Sequence, residues 1–348
     1  ATNVPWLLWD LIAMRGLHIP VIFLNHFNFA WSFSAKGAEL RPKMEAAFKS
    51  ADAVICLSRT EELYERMQGI NAVYLPPAIR QYPWEERQEA PQKIAVLGRL
   101  GDPVKQVGES LKIMQRVAAK APWVSMYLIG DFYTDEQRAE YRQILKEYGL
   151  ERNVILTGVT EQPELFLKEC GILLSVSAWE GFPMNIAEAQ ALGLPCVIYD
   201  IPIEIARNNP SIISVPQGDV IKASDAILEL LENPEKWRQL SRVATEKSRQ
   251  FAPEKITKAL KGLLGNLDFG MITKTRNKEE YEDIIRYSAW YSGKKFAWKW
   301  QNILMERDIK PDEITNDAEI IKPEGMINLI PDVMQLGKRY TEFISPIS

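Results

Sequence analysis

The sequence predicts an α/β fold in which parallel sheets are covered by helices on both faces. Strand-length apolar runs alternate with helical stretches along most of the chain. These runs are continuously apolar, as expected for strands that are buried on both faces. A polar, proline-bearing stretch at residues 81–92 interrupts the alternation. We therefore expect two Rossmann-like lobes of unequal size, joined by a linker.

The first lobe is predicted to comprise residues 1–82, and residues 83–92 are the expected linker. Apolar periodicity and the turn residues between the runs define its elements. They are helix Trp6–Arg15, strand Pro20–Asn25, helix Glu39–Ser50, strand Ala53–Leu57, helix Glu61–Gln68 and strand Ala72–Leu75, which two prolines end.

The second lobe is predicted to comprise residues 93–250 and to contain a parallel sheet of about six strands. Its expected strands are Ile94–Leu97, Val124–Ile129, Val154–Leu156, Gly171–Val176, Pro195–Tyr199 and Ile212–Val215. Its expected helices are Val104–Ala119, Thr134–Tyr148, Ser224–Leu231 and Pro234–Gln250, and a further helix, Pro253–Leu264, lies within residues 251–265.

Composition narrows the function classes. Lys and Arg total 42 and Asp and Glu total 46, so the net charge of −4 gives no whole-protein case for nucleic-acid binding. With only His18 and His26, the chain cannot form a histidine-rich metal cluster. Cys56, Cys170 and Cys196 each lie in or beside an apolar run, which predicts buried, reduced thiols and a cytoplasmic location. No signal peptide or membrane-length apolar run is expected.

The first motif runs from Ala178 to Pro195, after a predicted strand that ends near Ser177. A helix is expected to start near Pro183, because proline suits the first helical turn. The preceding loop would then direct backbone N–H groups at an anionic ligand. Glu180 precedes the helix and Glu188 lies inside it, so the two carboxylates would address different parts of one extended ligand. Taken singly, each glutamate is more often a solvent-exposed surface residue.

The second motif runs from Val96 to Lys105, where a strand leads into Gly98 and is followed by two cations. The Arg99 guanidinium can bind phosphate oxygens in a bidentate manner, and Lys105 adds a point charge. Together they would neutralise a departing diphosphate without a divalent ion. The alternative is two solvated surface cations. Their position beyond the carboxyl end of a strand favours the phosphate interpretation.

These motifs resemble those of the family-4 retaining glycosyltransferases, which have the GT-B fold. The shared pattern is Gly98, Arg99 and Leu100 with Lys105 soon after, together with Glu180 and Glu188, which are separated by seven residues. The stretches Leu128–Asp131 and Asn153–Gly158 match as well. The resemblance covers residues 20–264 and is strongest from Lys93 to Asp200.

The resemblance implies a nucleotide-diphosphate sugar donor and sugar transfer with retention of configuration, without a bound metal or other cofactor. Arg99 and Lys105 would bind the diphosphate, Glu188 the ribose hydroxyls, and Glu180 would lie beside the donor sugar. The base would lie near Gly130 and Val159. The backbone of the remaining loop residues would contact sugar and phosphate, namely Gly181, Phe182, Pro183, Met184 and Asn185.

His26 follows the strand Pro20–Asn25, where the resemblance implies a histidine that faces the donor sugar across the cleft. A lone histidine is also commonly structural. The first lobe departs from the family, because it lacks the usual opening strand and glycine-rich loop. We therefore expect an excised piece, the end of a larger polypeptide, or a subunit that needs a partner chain.

The residues and the resemblance together leave three functions open. The leading one is a hexosyltransferase that acts on a glycan, glycolipid or protein-linked acceptor in bacterial surface polysaccharide or glycoconjugate synthesis. The second is a nucleotide-sugar-binding module without independent catalysis. The third is a GT-B sugar-nucleotide epimerase, which would share the fold but not the paired glutamates.

Residues 266–348 form an aromatic and basic extension without a family counterpart. Between Tyr291 and Trp300, Lys294, Lys295 and Lys299 are interleaved with aromatic rings. We expect the rings to pack on the body of the protein and the lysines to face water. The alternative is an interfacial helix that makes peripheral contact with the inner face of an anionic membrane.

Overall fold

The computed structural model describes residues 21–26, 42, 44–45 and 47–266. The predicted helix Trp6–Arg15 lies outside the described residues, as does the extension beyond residue 266. Of the predicted helix Glu39–Ser50, the described residues from 42 onward are helical.

The first lobe contains a parallel sheet with the order β1-β2-β3, formed by β1 (Ile22–Leu24), β2 (Ala53–Cys56) and β3 (Ala72–Tyr74). The three predicted strands are therefore confirmed. Helix α1 (Arg59–Met67) begins earlier than predicted, because the Ser58 hydroxyl accepts a hydrogen bond from the Glu61 N–H at 3.1 Å and caps it.

The second lobe contains the predicted six-stranded parallel sheet, with the order β6-β5-β4-β7-β8-β9. From β4 the chain first adds β5 and β6 on one side and then β7, β8 and β9 on the other. This change of direction creates a switch point, with a crevice between the loops that follow β4 and β7. The strands are β4 (Lys93–Leu97), β5 (Ser125–Ile129), β6 (Val154–Gly158), β7 (Ile172–Ser175), β8 (Cys196–Tyr199) and β9 (Ile212–Val215).

Helices cover both faces of this sheet. Ile94 and Val96 are buried in the core on one face, and Ala95 is buried in the core on the other, so alternate residues of one strand serve the two layers. The helices are α2 (Val107–Lys120), α3 (Asp135–Glu147), α4 (Pro163–Leu167), α5 (Met184–Ala191), α6 (Val220–Glu232), α7 (Pro234–Ser248) and α8 (Pro253–Asn266).

Three helices of the second lobe differ from the prediction. Helix α6 begins at Val220 rather than Ser224, because the Asp219 carboxylate accepts the Lys222 N–H at 2.9 Å and caps it. Helix α2 begins at Val107 rather than Val104, because Pro103–Lys105 forms a separate 3₁₀ turn. The Asp102 carboxylate accepts the Val104 N–H at 3.0 Å to cap this turn, and Gln106, with a φ of 47°, ends it. Helix α4 was not predicted, since a single helical turn carries too little periodicity to recognise.

The predicted linker has no helix or strand, but it is docked on the second lobe. The Trp84 indole N–H donates to the Ser241 hydroxyl at 3.2 Å, and the Arg238 guanidinium donates to the Gln88 carbonyl at 3.0 Å. Gly193 makes room for this contact, since a Cβ there would lie 3.4 Å from the Trp84 ring and 3.0 Å from Ser241. The linker therefore forms part of the packed surface of α7.

Helix α8 starts where it was predicted, and the described side chains along it are exposed or half-buried. The family resemblance also implies that residues 251–265 form a crossover helix that returns to the first lobe, and this stays a prediction. No helix in the part of the chain that the structure describes is long and apolar enough to cross a membrane.

Candidate functional site

The loops that carry the two sequence motifs meet at one edge of the six-stranded sheet. Because all its strands are parallel, the loops after β4, β5, β6, β7 and β8 leave the sheet at the same edge. Ligands of open parallel sheets bind in the crevice at this edge. The structure thus brings together the residues that the sequence places far apart.

The loops after β4 and β5 are in direct backbone contact. The Gly98 N–H donates to the Ile129 carbonyl at 3.0 Å, and the Leu100 N–H donates to the Asp131 carbonyl at 2.9 Å. Gly130 has a φ of 131°, and a Cβ at this position would lie 1.9 Å from the Gly98 carbonyl oxygen. Glycine is therefore required at residue 130 for the Gly98 loop to keep its position.

We expect Gly130→Ala to lower stability and nucleotide affinity together, because the new Cβ displaces the Gly98 loop. Gly149→Ala is the matched control, since Gly149 also has a positive φ, of 66°, but a Cβ there meets nothing within 4 Å. The free energy of unfolding of the control should fall only by the cost of the strained backbone, about 1–3 kcal/mol. Thermal unfolding with and without a nucleoside diphosphate measures both effects, and equal behaviour of the two variants would contradict the steric argument.

An ion pair between Lys105 and Glu180 joins the loops after β4 and β7. The Lys105 ammonium donates to Oε1 of Glu180 at 2.6 Å, and the two side chains are only 18% and 13% exposed. The Ala178 N–H donates to the Val104 carbonyl at 2.8 Å, which holds the two loops together beside the pair. A cation and an anion from the two motifs are therefore adjacent in a partly desolvated position.

Arg99 lies at the mouth of the same crevice. Its side chain is 72% exposed, and its guanidinium contacts the Asp102 carboxylate at 2.9 Å. An exposed ion pair of this kind contributes little to stability. Arg99 is therefore free to reorient toward an incoming anion at small cost.

Helix α5 begins directly behind the Glu180 loop, and Asn185 anchors it. The Asn185 amide donates to the Leu97 carbonyl at 3.2 Å, and its oxygen accepts the Ile186 N–H at 3.0 Å. The side chain is buried, so it ties the helix to the end of β4. Pro183 is the N-cap of the helix and does not lie in its first turn, where it was predicted. Gly181 and Phe182 precede it in the loop, and Met184 is the first residue of the helix.

Glu188 lines a separate pocket of about 340 Å³. Tyr82, directly before the linker, and Glu164 of α4, which follows β6, also line this pocket. Burial is the main cause that raises the pKa of the Glu188 carboxyl, and the negative charge of Glu164 adds to it. Val159, in the loop after β6, is highly exposed, and the Gly130 N–H donates to the Gly158 carbonyl at 3.1 Å.

In the first lobe, His26 is exposed at the carboxyl end of β1, directly after the buried Asn25. The Asn25 amide donates to Glu61 Oε1, and the Leu57 N–H donates to Glu61 Oε2 at 3.1 Å. Burial raises the pKa of Glu61 to about 7, against the hydrogen bonds that lower it. Sequence reasoning missed Glu61, although Ser58 and Glu61 have the spacing of a capping box.

The two lobes enclose a second space, which we term the interlobe cavity. It has a volume of about 340 Å³ and lies between the first turn of α1, the loop after β8 and Gly181. The Arg59 N–H donates to the Glu204 carboxylate at 3.1 Å, and the Arg207 guanidinium donates to the Thr60 hydroxyl at 3.1 Å. These bonds hold the lobes together at one side of the cavity.

Comparison with known proteins identifies the fold. The fold is that of GT-B glycosyltransferases: a structure of HepE from Anabaena in complex with UDP superposes with a TM-score of 0.62, at 17% identity, over 74% of this chain and 76% of that one. Residues 80–247 match the family "Glycosyl transferases group 1". This stretch includes both sequence motifs, and it is similar to group 1 glycosyltransferase domains.

Two curated relatives show how far the similarity extends. An exopolysaccharide phosphotransferase from Streptomyces coelicolor is 28% identical over 62% of this chain but only 23% of its own length. An amylovoran biosynthesis glycosyltransferase from Erwinia amylovora is 24% identical over 49% of this chain and 48% of its own. The matched region thus spans about half or less of each of these relatives.

Proposed function

We propose that the chain transfers a hexose from a nucleotide-diphosphate sugar to a glycan, glycolipid or protein-linked acceptor, as a retaining family-4 enzyme. The donor lies at the carboxyl edge of the six-stranded sheet, and the acceptor enters from the first lobe. The single observation that carries this proposal is the half-buried Lys105–Glu180 ion pair at the switch point of the sheet.

The chemistry follows from the charge that develops during transfer. Cleavage of the bond between sugar and phosphate leaves negative charge on the diphosphate and positive charge on the sugar. In the proposal, Lys105 and Arg99 stabilise the diphosphate, so that a bound metal is not required. Glu180 lies beside the sugar, with the backbone of the loop before α5, and His26 faces the sugar from the first lobe.

The nucleoside is proposed to occupy the Glu188 pocket. A carboxylate there accepts hydrogen bonds from both ribose hydroxyls, and the loops at Gly130 and Val159 surround the base. UDP is the first nucleotide to test, because the HepE structure contains it.

We place the reaction in bacterial surface polysaccharide or glycoconjugate synthesis, in the cytoplasm or at the inner face of the membrane. The names of the two curated relatives, which concern exopolysaccharide and amylovoran, support the first part. We do not propose the phosphotransferase activity of the first relative for this chain, because the match covers only 23% of that protein.

The proposal is tested first by binding. UDP-, GDP-, dTDP- and ADP-glucose are screened by thermal shift, with and without EDTA, since a ligand that binds only the folded state raises the melting temperature. We expect one nucleotide class to stabilise the chain, and the shift to persist in EDTA. A shift that vanishes in EDTA would contradict the metal-free site.

Turnover then separates the open alternatives. A transferase consumes the bound nucleotide sugar only when an acceptor is added, an epimerase produces an isomeric nucleotide sugar without one, and a binding module does neither. Product without acceptor, or no turnover with any acceptor or partner chain, would replace the proposed activity with one of these alternatives.

A further inference from the structure

The interlobe cavity is a partly open space with walls from both lobes. Its volume of about 340 Å³ falls at the lower end of the range for small-molecule sites and suits one or two sugar units. One wall is the end of β2 with the first turn of α1, and the other is the loop after β8. Because the two bonds described above join these walls, the cavity has a defined shape.

The cavity borders the loop of the proposed donor site. Gly181 lines it, and the preceding residue is Glu180, whose carboxylate binds Lys105. A hydroxyl group held in the cavity is therefore close to the loop that is proposed to surround the transferred sugar. This placement makes the lining of the cavity relevant to the choice of acceptor.

The charge of the described lining is unbalanced. Three carboxyl groups, those of Glu61, Asp200 and Glu204, line the cavity with one guanidinium, that of Arg207. Burial raises the pKa of Glu61 to about 7 and so favours its neutral form, which leaves Asp200 and Glu204 as the main negative charges. Neutral hydroxyl groups of Ser58, Thr60 and Ser214 complete the polar lining. A glycosyl acceptor that carries phosphate or carboxylate groups would be repelled here. The hydroxyl groups of a sugar would instead donate hydrogen bonds to the carboxylates.

The three carboxylates are not equivalent. Glu61 is buried and binds Asn25 and the Leu57 N–H, and Glu204 binds the Arg59 N–H. Both carboxyl groups therefore already form hydrogen bonds with the walls of the cavity. Asp200 directly follows β8 and is exposed, so its carboxylate is positioned to accept hydrogen bonds from a ligand.

We infer that the interlobe cavity selects an uncharged sugar as acceptor and excludes acceptors that carry phosphate or uronate groups, and that Asp200 binds an acceptor hydroxyl. This inference rests on the proposed glycosyl transfer, and it adds the chemical class of the acceptor. Asp200 acts as a specificity residue, and the negative lining supplies the exclusion.

The experiment measures binding of defined oligosaccharides to the full chain loaded with UDP. The probes are neutral oligosaccharides of glucose, galactose, mannose and N-acetylglucosamine, a galacturonate oligosaccharide and a glycerol-phosphate oligomer. Asp200→Asn is compared with Asp225→Asn, a control that removes an exposed carboxylate of α6, which contacts Lys120 at 3.2 Å outside the cavity.

We expect at least one neutral probe to bind more tightly than both anionic probes. In Asp200→Asn, the neutral probe should bind at least about tenfold more weakly, because it loses a hydrogen bond to a charged group. The UDP affinity should stay unchanged. In the same variant, binding of the anionic probes should improve, because one repelling charge is gone. The control should match the wild type in all three respects.

Tighter binding of an anionic probe than of every neutral one would overturn the inference. So would equal behaviour of Asp200→Asn and Asp225→Asn, or no binding of any probe. Failure of the wild type to bind any nucleotide is a separate result, seen in the UDP titration alone, and it would overturn the proposed function together with the acceptor assignment.

Discussion

Lys105→Met is expected to abolish most donor binding and nearly all turnover. Lys105 is the largely buried cation of the proposed diphosphate site, and a hydrogen bond to a charged group contributes about 1.5–3 kcal/mol. Nucleotide affinity should therefore fall about 10- to 100-fold. Turnover should fall by a further factor of about 10²–10³, because negative charge on the leaving diphosphate grows in the transition state. Isothermal titration with UDP and a transfer assay measure the two effects.

The variant also separates chemistry from folding. Removing Lys105 takes away the ammonium that the Glu180 carboxylate binds, and the Glu180 side chain is only 13% exposed, so stability should fall as well. The double variant Lys105→Met, Glu180→Gln removes both charges and should recover much of that stability while its turnover stays lost. Recovery of turnover along with stability would show that the pair is structural and that the phosphate assignment is wrong.

Two cationic controls set the scale of this result. Arg99→Met should weaken binding less than Lys105→Met, since Arg99 is 72% exposed and more strongly screened by solvent. Lys120→Met removes an exposed lysine that contacts Asp225 and should leave binding unchanged. An order other than Lys105, Arg99, Lys120 would contradict the arrangement of charges proposed here.

The sequence predicted the described strands and the site loops because both depend on local patterns. Strands buried on both faces produce continuous apolar runs, and the structure has the six strands of the second lobe in the predicted places. The Lys105–Glu180 pair joins the two motifs that were recognised separately. A parallel sheet brings such motifs together, because every strand delivers its following loop to the same edge.

Features that depend on packing between distant segments were not predictable in this way. Residues 81–92 have the composition of a free linker, yet Trp84 is docked against Ser241, a contact across 157 positions. The interlobe cavity arises only when the loop after β8 meets α1, so neither Asp200 nor Glu61 stood out in the sequence. The separation of the Pro103–Lys105 turn from helix α2 depends on the backbone of one residue, Gln106, which has a positive φ.

Glu188→Gln should weaken donor binding without much change in turnover at saturating donor. Its carboxylate is proposed to bind the ribose in both the ground state and the transition state, so its loss raises the dissociation constant about tenfold or more. The fold should not suffer. Burial raises the pKa of Glu188, so the charged form is disfavoured in the folded state, and stability increases as pH falls through the raised pKa. The neutral variant should therefore melt no lower than the wild type and lose this pH dependence.

Glu180→Gln should give the opposite kinetic pattern, with turnover reduced about 100-fold or more and donor affinity little changed or improved. The carboxylate is proposed to stabilise positive charge that develops on the sugar only in the transition state. In the free protein it also binds Lys105, at 2.6 Å, so its neutral replacement leaves the ammonium more available to the diphosphate. Titration with UDP and measurement of kcat and KM with a nucleotide sugar distinguish the two glutamates. Weaker binding in Glu180→Gln combined with lower turnover in Glu188→Gln would mean that the two carboxylates have exchanged roles.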